Sequence, residues 1–256
     1  MYLIDSIHAK ISQRGTCFIS VVGGGGKTET IYQLAKKLSA TYPVLVTTTT
    51  AMFRPDLSRV DQVIIDPHLF DASKAYDLNK PQICAGFATV DAIVPEKLRG
   101  FKPEQLCKWH RVHQGCVVLN EADGSKQLPV KAYEAHEPQI PSCTDIVLIV
   151  IGLDAMYKPI QEGFVHRPER MYEVTETQPG DLLTPIVLAK LMCHPLGMLK
   201  GIPESAEVIL ILNKYDCFKG DFEWGAFFES IPKQINALVV STMARAEEIL
   251  VLRRSM

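Results

Sequence analysis

The sequence predicts a doubly wound α/β fold, a mostly parallel sheet with helices on both faces. Three observations carry that expectation. Short apolar runs recur without polar alternation, as strands buried on both faces require. Segments with apolar residues at helical spacing fall between them. The first apolar run ends on four glycines that pass straight into a helical segment, the context in which such sheets hold anions.

The elements follow in order. Thr16–Val22 ("TCFISVV") is a short β-rich run that stops on the glycines. Thr28–Leu38 places Ile31, Leu34, Ala35 and Leu38 on one helical face. Val44–Thr47, opened by Pro43, is a second strand, and Val63–Ile65 is a weaker one. The stretch 67–105 is rich in proline, glycine and mixed polar residues and is expected to be an irregular excursion. Val117–Asn120, Ile146–Ile151 and Val208–Leu212 are expected to be fully buried strands. Leu182–Met192 and Phe222–Ile231 suit helices. Leu238–Val240 is expected as a last strand before a C-terminal helix from Met243. No repeat or low-complexity linker interrupts the chain, so residues 1–256 are expected to form a single domain.

Composition narrows the function. At 256 residues, with 47% apolar and 22% charged content, the chain can bury a substantial core and does not suit disorder. A net charge of −2 gives no electrostatic reason to expect nucleic acid or anionic lipid as a partner. The apolar runs are strand-sized, well short of the roughly 20 residues that span a bilayer. The N-terminus carries Asp5, His8 and Lys10 with no apolar signal core, so a cytoplasmic protein is expected. Seven scattered cysteines without Cys-x-x-Cys fit reduced thiols better than a disulfide framework.

The glycine run "VVGGGGKTET" carries the first chemistry. The common phosphate-loop pattern is G-x-x-x-x-G-K-[ST]. Counting back from Gly26 places its first glycine at Val21, so the spacing here is the shorter Gly23-x-x-Gly26-Lys27-Thr28. Gly23, Gly24, Gly25 and Gly26 can still fold around phosphate oxygens, since positive φ costs glycine little. Lys27 would reach the β- and γ-phosphates, and the Thr28 hydroxyl would hold Mg²⁺. The plainer alternative is a glycine-rich turn with a solvated lysine.

Val117–Lys126 ("VVLNEADGSK") runs a buried strand into Glu121 and Asp123. Ligands gather at the carboxyl ends of strands in such sheets, and carboxylates there can hold Mg²⁺ or its waters. Lys126 could neutralise a phosphate or substrate charge. Asp-Gly also closes turns without any such role. "NKYD", Asn213–Asp216, follows the strand 208–212. In the pattern Asn-Lys-x-Asp the aspartate accepts from two guanine donors, the lysine stem packs on the base and the asparagine braces the loop. A polar turn at a strand end is the alternative. The threonines 47–50 would offer hydroxyls to a metal or γ-phosphate, or would only prolong a strand.

Two further patterns are weaker. Cys107-x-x-His110-x-x-His113-x-x-Cys116 resembles a metal cluster. On a helix each three-residue step leaves the side chain displaced by roughly 60°, so the four do not converge on tetrahedral zinc. "GFVHRPER", 163–170, could set Arg167 on a carboxylate or phosphate, with His166 beside it, or form a solvated loop.

Taken in order, "VVGGGGKTETIYQLA", "VTTTTAMF", "NEADGSKQLPVKA", "HEPQIP", "EGFVHRPE", "GDLLTP", "HPLGMLKGIP" and "LNKYD" resemble the YqeC-like family of accessory proteins for selenium-dependent molybdenum hydroxylases. The resemblance spans residues 21–216 and implies a P-loop NTPase-like fold. It also implies a role in maturing the selenium site of those enzymes, with a molybdenum hydroxylase or its cofactor-maturation proteins as partners. The family motifs mark Gly26, Lys27 and Thr28 at the loop, Glu121 and Asp123 at the carboxylates, and Asn213, Lys214 and Asp216 at the base. Two residues depart from the usual pattern. Glu29 stands where a small hydroxyl residue is usual, and Asn120 precedes the acidic pair. If Glu29 faced the phosphates it would weaken binding. Mur-type ligases also use a compact G-x-x-G-K-T loop with Mg-ATP, so the short spacing is workable.

Three functions stay open on the sequence. One is a Mg²⁺-dependent nucleoside triphosphatase using Lys27, Glu121 and Asp123, with GTP or ATP. Another is a nucleotide-gated chaperone or scaffold without turnover. A third is a transferase acting on a molybdenum or selenium cofactor, for which Cys84, Cys143 and Cys193 are the candidate thiol nucleophiles.

Overall fold

The computed structural model describes residues 1–69, 80–113 and 115–254. Helix α1 (Tyr2–Arg14) precedes strand β1 (Cys17–Gly23), and α2 (Lys27–Leu38) follows the glycines. Five strands come next: β2 (Pro43–Thr48), β3 (Ala51–Phe53), β4 (Gln62–Ile65), β5 (Gln82–Phe87) and β6 (Thr89–Val90). Then come β7 (Lys97–Arg99), α3 (Pro103–Val112), β8 (Val117–Glu121), β9 (Val130–Lys131) and β10 (Ile146–Gly152). The remainder is β11 (Val165–His166), α4 (Pro168–Thr175), α5 (Pro185–Cys193), β12 (Glu207–Asn213), α6 (Trp224–Ser230), β13 (Ile235–Thr242) and β14 (Glu247–Arg253).

Nine strands form one sheet in the order β14-β13-β12-β10-β1-β8-β2-β5-β4. Every pairing in it is parallel except β13 with β14, so the expected mostly parallel, doubly wound sheet is present. All seven residues of β1 and of β10 are buried, which is why those runs show no polar alternation. Side chains of alternate residues go to opposite faces. Ile19, Val21, Leu148 and Val150 meet α1 and α2 through Leu3, Ile7, Ile31, Leu34 and Leu38. Val22, Val147, Ile149 and Leu210 meet α4, α5 and α6 through Met171, Leu188, Leu191 and Phe227. Phe18, Leu45 and Val118 pack with Leu106 and Trp109 of α3.

Register sets the edge where a site can form. Val21 lies level with Glu121, Gly23 with Val150, Gly152 with Asn213 and Thr48 with Glu121. The carboxyl ends of β1, β8, β10, β12 and β2 therefore finish along one edge.

Three expectations change. Within 67–105, β5 is a strand of the main sheet between β2 and β4, while β6 and β7 join β3, from outside the stretch, in a separate three-stranded ribbon; residues 70–79 lie outside the described residues. The C-terminal helix expected from Met243 is a single 3-10 turn, Met243–Arg245. Ala246 then turns at φ 56 and the chain returns as the edge strand β14. Its two-residue period explains this: Leu250 and Leu252 pack toward one face of the sheet and Val251 toward the other. Finally, Cys107 and Cys143 form a disulfide with Cα atoms 5.5 Å apart, so the thiols are not all reduced. Their separation of 36 residues hid the pairing, which exists because α3 packs beside the segment entering β10.

Strand β14 also secures the start of the chain. Glu248 accepts from the Tyr2 amide at 2.6 Å and the Leu3 amide at 3.1 Å, two donors that open α1. Such capping bonds contribute about 1 kcal/mol. Glu248→Ala is therefore expected to lower the thermal midpoint by roughly 2–4 °C. Circular dichroism melting checks this, and an unchanged midpoint would contradict it.

Candidate functional site

The loop after β1 is fixed by contact as much as by conformation. Gly23, Gly25 and Gly26 adopt φ 95, 73 and 116, the region that favours glycine. A Cβ on Gly23 would lie 2.2 Å from Val150 O, one on Gly24 2.5 Å from Leu128 O, and one on Gly25 2.1 Å from Gly152 N. The Gly24 amide donates to Val150 O at 2.8 Å and the Gly25 amide to Leu128 O at 3.0 Å. Two of the four glycines thus tie the loop to β10 and to the turn before β9. The amides of Gly26, Lys27 and Thr28 donate to no acceptor among the described residues, and no side chain caps α2. They are the unpaired donors of a helix start, with its partial positive charge.

Lys27 bends back over this loop. Its Nζ donates to Gly23 O at 2.6 Å and lies 3.0 Å from Asp123 Oδ1, with 3% of the side chain exposed. The other Asp123 oxygen accepts from the Gly23 amide at 2.9 Å. Asp123 is fully buried, and among the described residues its Oδ1 makes no well-aligned hydrogen bond despite the nearby ammonium. Thr28 Oγ1 donates to Glu121 Oε2 at 2.9 Å. Burial raises the Glu121 carboxyl above its usual range, against the pull of Lys27 and the Thr28 hydroxyl. Lys27, Thr28, Glu121 and Asp123, singled out from two distant segments, therefore meet in one cluster.

The cluster extends to Lys131 and Glu137, which the sequence did not single out, and to Arg167, which it expected on a carboxylate or phosphate. Lys131 is fully buried, with Nζ 3.4 Å from Asp123 Oδ2 and 3.0 Å from Glu137 Oε2. It also donates to Gly124 O at 2.5 Å. Burial lowers its pKa, and Asp123 and Glu137 counter that. Arg167 Nη1 pairs with Glu137 in turn. Burial pushes Glu137 up, but Lys131 and Arg167 outweigh it and hold the carboxyl below its usual range. The geometry comes from β9 and β11, which pair with Lys131 level with His166. Lys126 is exposed.

"NKYD" sits at the same edge. Asn213 Nδ2 donates to Gly25 O at 2.8 Å, and its Oδ1 accepts from the Met243 amide at 2.8 Å. Lys214, at φ 63, pairs with Asp154 at 2.6 Å. Asp216 is 36% exposed and lies 4.0 Å from Arg245. Tyr215 borders a ring cluster through Trp224, with centroids 6.3 Å apart.

Against this geometry, the family model described as YqeC protein matches residues 19–169. The chain belongs to the YqeC family. It is 33% identical over 205 residues to the "Uncharacterized protein YqeC" of Escherichia coli (strain K12), covering 80% of this chain and 78% of that one. Among solved structures, the hydrogenase maturation factor HypB from Archaeoglobus fulgidus superposes with a TM-score of 0.38 and 9% identity over 96% of this chain and 90% of that one. The fold assignment rests on this chain's own sheet order.

In this YqeC family member the segments "EADGSK", "HEPQIP" and "HRPE" meet around Lys131. A lysine two residues beyond a proline, in "LPVKA", gives no charge pattern of its own, so nothing local in the sequence marks it. Glu29 faces away from the loop: Arg59 pairs with it at 2.9 Å and Gln33 donates to it at 2.8 Å. Asn120 is buried and donates to Ser20 Oγ at 3.4 Å. The threonine run divides. Thr47 and Thr48 complete β2 and donate to Gly86 O and Glu121 O, whereas Thr49 donates to Gln139 O beyond the strand.

The four residues spaced like a zinc site scatter. Cys107 joins Cys143, His110 lies 3.8 Å from Asp145, His113 stacks on Trp109, and Cys116 is buried. Of the candidate thiol nucleophiles, Cys143 is in the disulfide and burial pushes Cys84 up to about 12, while Cys193 is exposed. No helix among the described residues is long and apolar enough to cross a membrane.

Removing one partner from a buried ion cluster leaves uncompensated charge. Lys131→Met is therefore expected to cost about 3 kcal/mol in urea unfolding. Lys126→Met, at an exposed position, is expected to stay within about 0.5 kcal/mol. Equal effects would contradict a structural role for the cluster.

Proposed function

We propose that this protein binds a nucleoside triphosphate at Gly23–Thr28 and hydrolyses it with Mg²⁺. The observation that carries this reading is the buried Lys27–Asp123 pair beside the unpaired amides of Gly26, Lys27 and Thr28. An incoming phosphate would accept from those amides and draw Lys27 off Asp123. That exchange replaces one buried ion pair by another and avoids stranding either charge.

The residues around the loop suit Mg²⁺, which prefers a few hard oxygen ligands and keeps several waters. Thr28 supplies a hydroxyl, and Glu121 and Asp123 supply carboxylates, with Asp123 Oδ1 accepting no hydrogen bond among the described residues beyond its ion pair with Lys27. Mg²⁺ bound there would neutralise charge on the phosphoryl oxygens. Lys27 stabilises the charge that develops on the transferring group. Glu121, its carboxyl raised by burial, is the group suited to position water or take a proton from it.

Asn213 supports guanine recognition by "NKYD", since it already braces Gly25 as that motif requires. Asp216 would accept from the guanine donors and Lys214 would leave Asp154 to pack on the base. The family resemblance supports setting this reaction in the maturation of selenium-dependent molybdenum hydroxylases, with one of those enzymes or its maturation proteins as partner.

Titration calorimetry and phosphate release test the proposal. Lys27→Ala is expected to weaken Mg-nucleotide binding by ~10–100-fold, the loss of a charge-assisted contact of about 1.5–3 kcal/mol. Asp216→Asn is expected to move preference from guanine toward xanthine. Equal affinity for ATP and GTP would contradict the guanine assignment. Tight binding without turnover, even with a hydroxylase added, would favour a nucleotide-gated chaperone over an enzyme.

A further inference from the structure

Asp154 is a carboxylate beside the glycine loop to which the proposed reaction gives no role. It lies just past β10, and β10 stands in the sheet between β1, which ends on the glycines, and β12, which ends on "NKYD". Contacts hold it there from both sides. A Cβ on Gly152 would lie 2.4 Å from Asp154 Oδ1 and 3.0 Å from Gly25 Cα, so the carboxylate and the loop glycine flank one point. On its other side Asp154 Oδ2 accepts from Lys214 Nζ at 2.6 Å. Asn213, next to that lysine in the chain, donates to Gly25 O at 2.8 Å. The loop, the end of β10 and "NKYD" therefore close on one another around Asp154.

The carboxylate depends on that lysine. Asp154 Oδ1 is buried and has no hydrogen-bond partner among the described residues. Among those residues Lys214 is the sole partner of Oδ2. The two side chains are 31% and 34% exposed, so the pair has an open side that a ligand can reach. When Lys214 moves onto the base, Asp154 keeps no donor at all. A half-buried carboxylate left in that state is costly unless another donor replaces the lysine.

Position along the sheet edge identifies the donor. Phosphates at Gly23–Thr28 and a base at Asn213–Asp216 leave the sugar between them, beside the end of β10. Phosphate oxygens would be repelled there, whereas a ribose hydroxyl donates to a carboxylate in a short, charge-assisted bond. We infer that Asp154 recognises the sugar of the bound nucleotide, its Oδ2 accepting from a ribose hydroxyl in place of Lys214, so that the site selects ribonucleotides over deoxyribonucleotides. The assignment rests on the nucleotide reading of the loop and adds the sugar to it.

Titration calorimetry of the full chain with Mg²⁺ tests the inference. The ligands are the ribo, 2′-deoxy and 3′-deoxy forms of non-hydrolysable guanosine and adenosine triphosphates, with tripolyphosphate as the phosphate-only probe. Loss of the hydroxyl that Asp154 holds is expected to weaken binding ~10-fold or more. Asp154→Ala is expected to bring that ratio close to one. Asp154→Asn, which keeps the shape with a neutral acceptor, is expected to fall between. Lys214→Met is expected to keep the ratio, because Asp154 remains. Equal binding of the ribo and both deoxy forms, or a ratio unchanged in Asp154→Ala, would overturn the sugar contact and leave the nucleotide reading standing. A ratio lost equally in Lys214→Met would show that Asp154 only places the lysine, and would overturn the contact as well. Binding of tripolyphosphate as tight as that of the nucleotides, or binding of none of these ligands, would overturn the contact together with the base or the whole nucleotide reading.

Discussion

Asp123 accepts the amide of Gly23 through Oδ2 and faces the Lys27 ammonium with Oδ1, while the Lys131 ammonium lies 3.4 Å from Oδ2. A carboxylate buried this completely is tolerable only because cations and an amide surround it. That requirement fixes the start of the glycine loop against the end of β8. It fixes the rotamer of Lys27 as well, and through Lys131 it holds the β9–β11 ribbon in place. Charges then alternate outward from Asp123 through Lys131 and Glu137 to Arg167.

The sheet makes this convergence possible. Parallel strands in matched register end at one edge, so Gly23, Glu121, Gly152 and Asn213 arrive together although 190 residues separate the first from the last. Asn213 then ties the loop from the far side by bonding Gly25 O and the Met243 amide. A charged ligand entering this frame would meet groups already oriented. Its arrival would change the partners of Lys27 far more than the backbone.

Much of the fold was legible because burial on both faces leaves an unmistakable trace in β1, β8, β10 and β12. Lys27, Thr28, Glu121, Asp123 and Asn213 were legible too, since each sits beside a strand end in a recognisable local pattern. What escaped depended on long-range contacts. Lys131 matters only because β9 meets β11, and neither two-residue strand has a periodic signal. Cys107 and Cys143 meet through helix packing. In Glu247–Arg253 the two-residue period is short, and only pairing with β13 makes it a strand. Glu29 shows the opposite case: its orientation hinges on Arg59, which no local pattern near the loop announces.

In the proposed nucleotide site, Lys27 exchanges Asp123 for a phosphate. A crystal structure with Mg²⁺ and a non-hydrolysable triphosphate analogue measures this most directly. Lys27 Nζ is expected within hydrogen-bond distance of a phosphate oxygen, the metal beside Thr28 and Asp123, and the Gly23 amide still on Asp123. Phosphates lying outside the loop, with Lys27 still paired to Asp123, would contradict it.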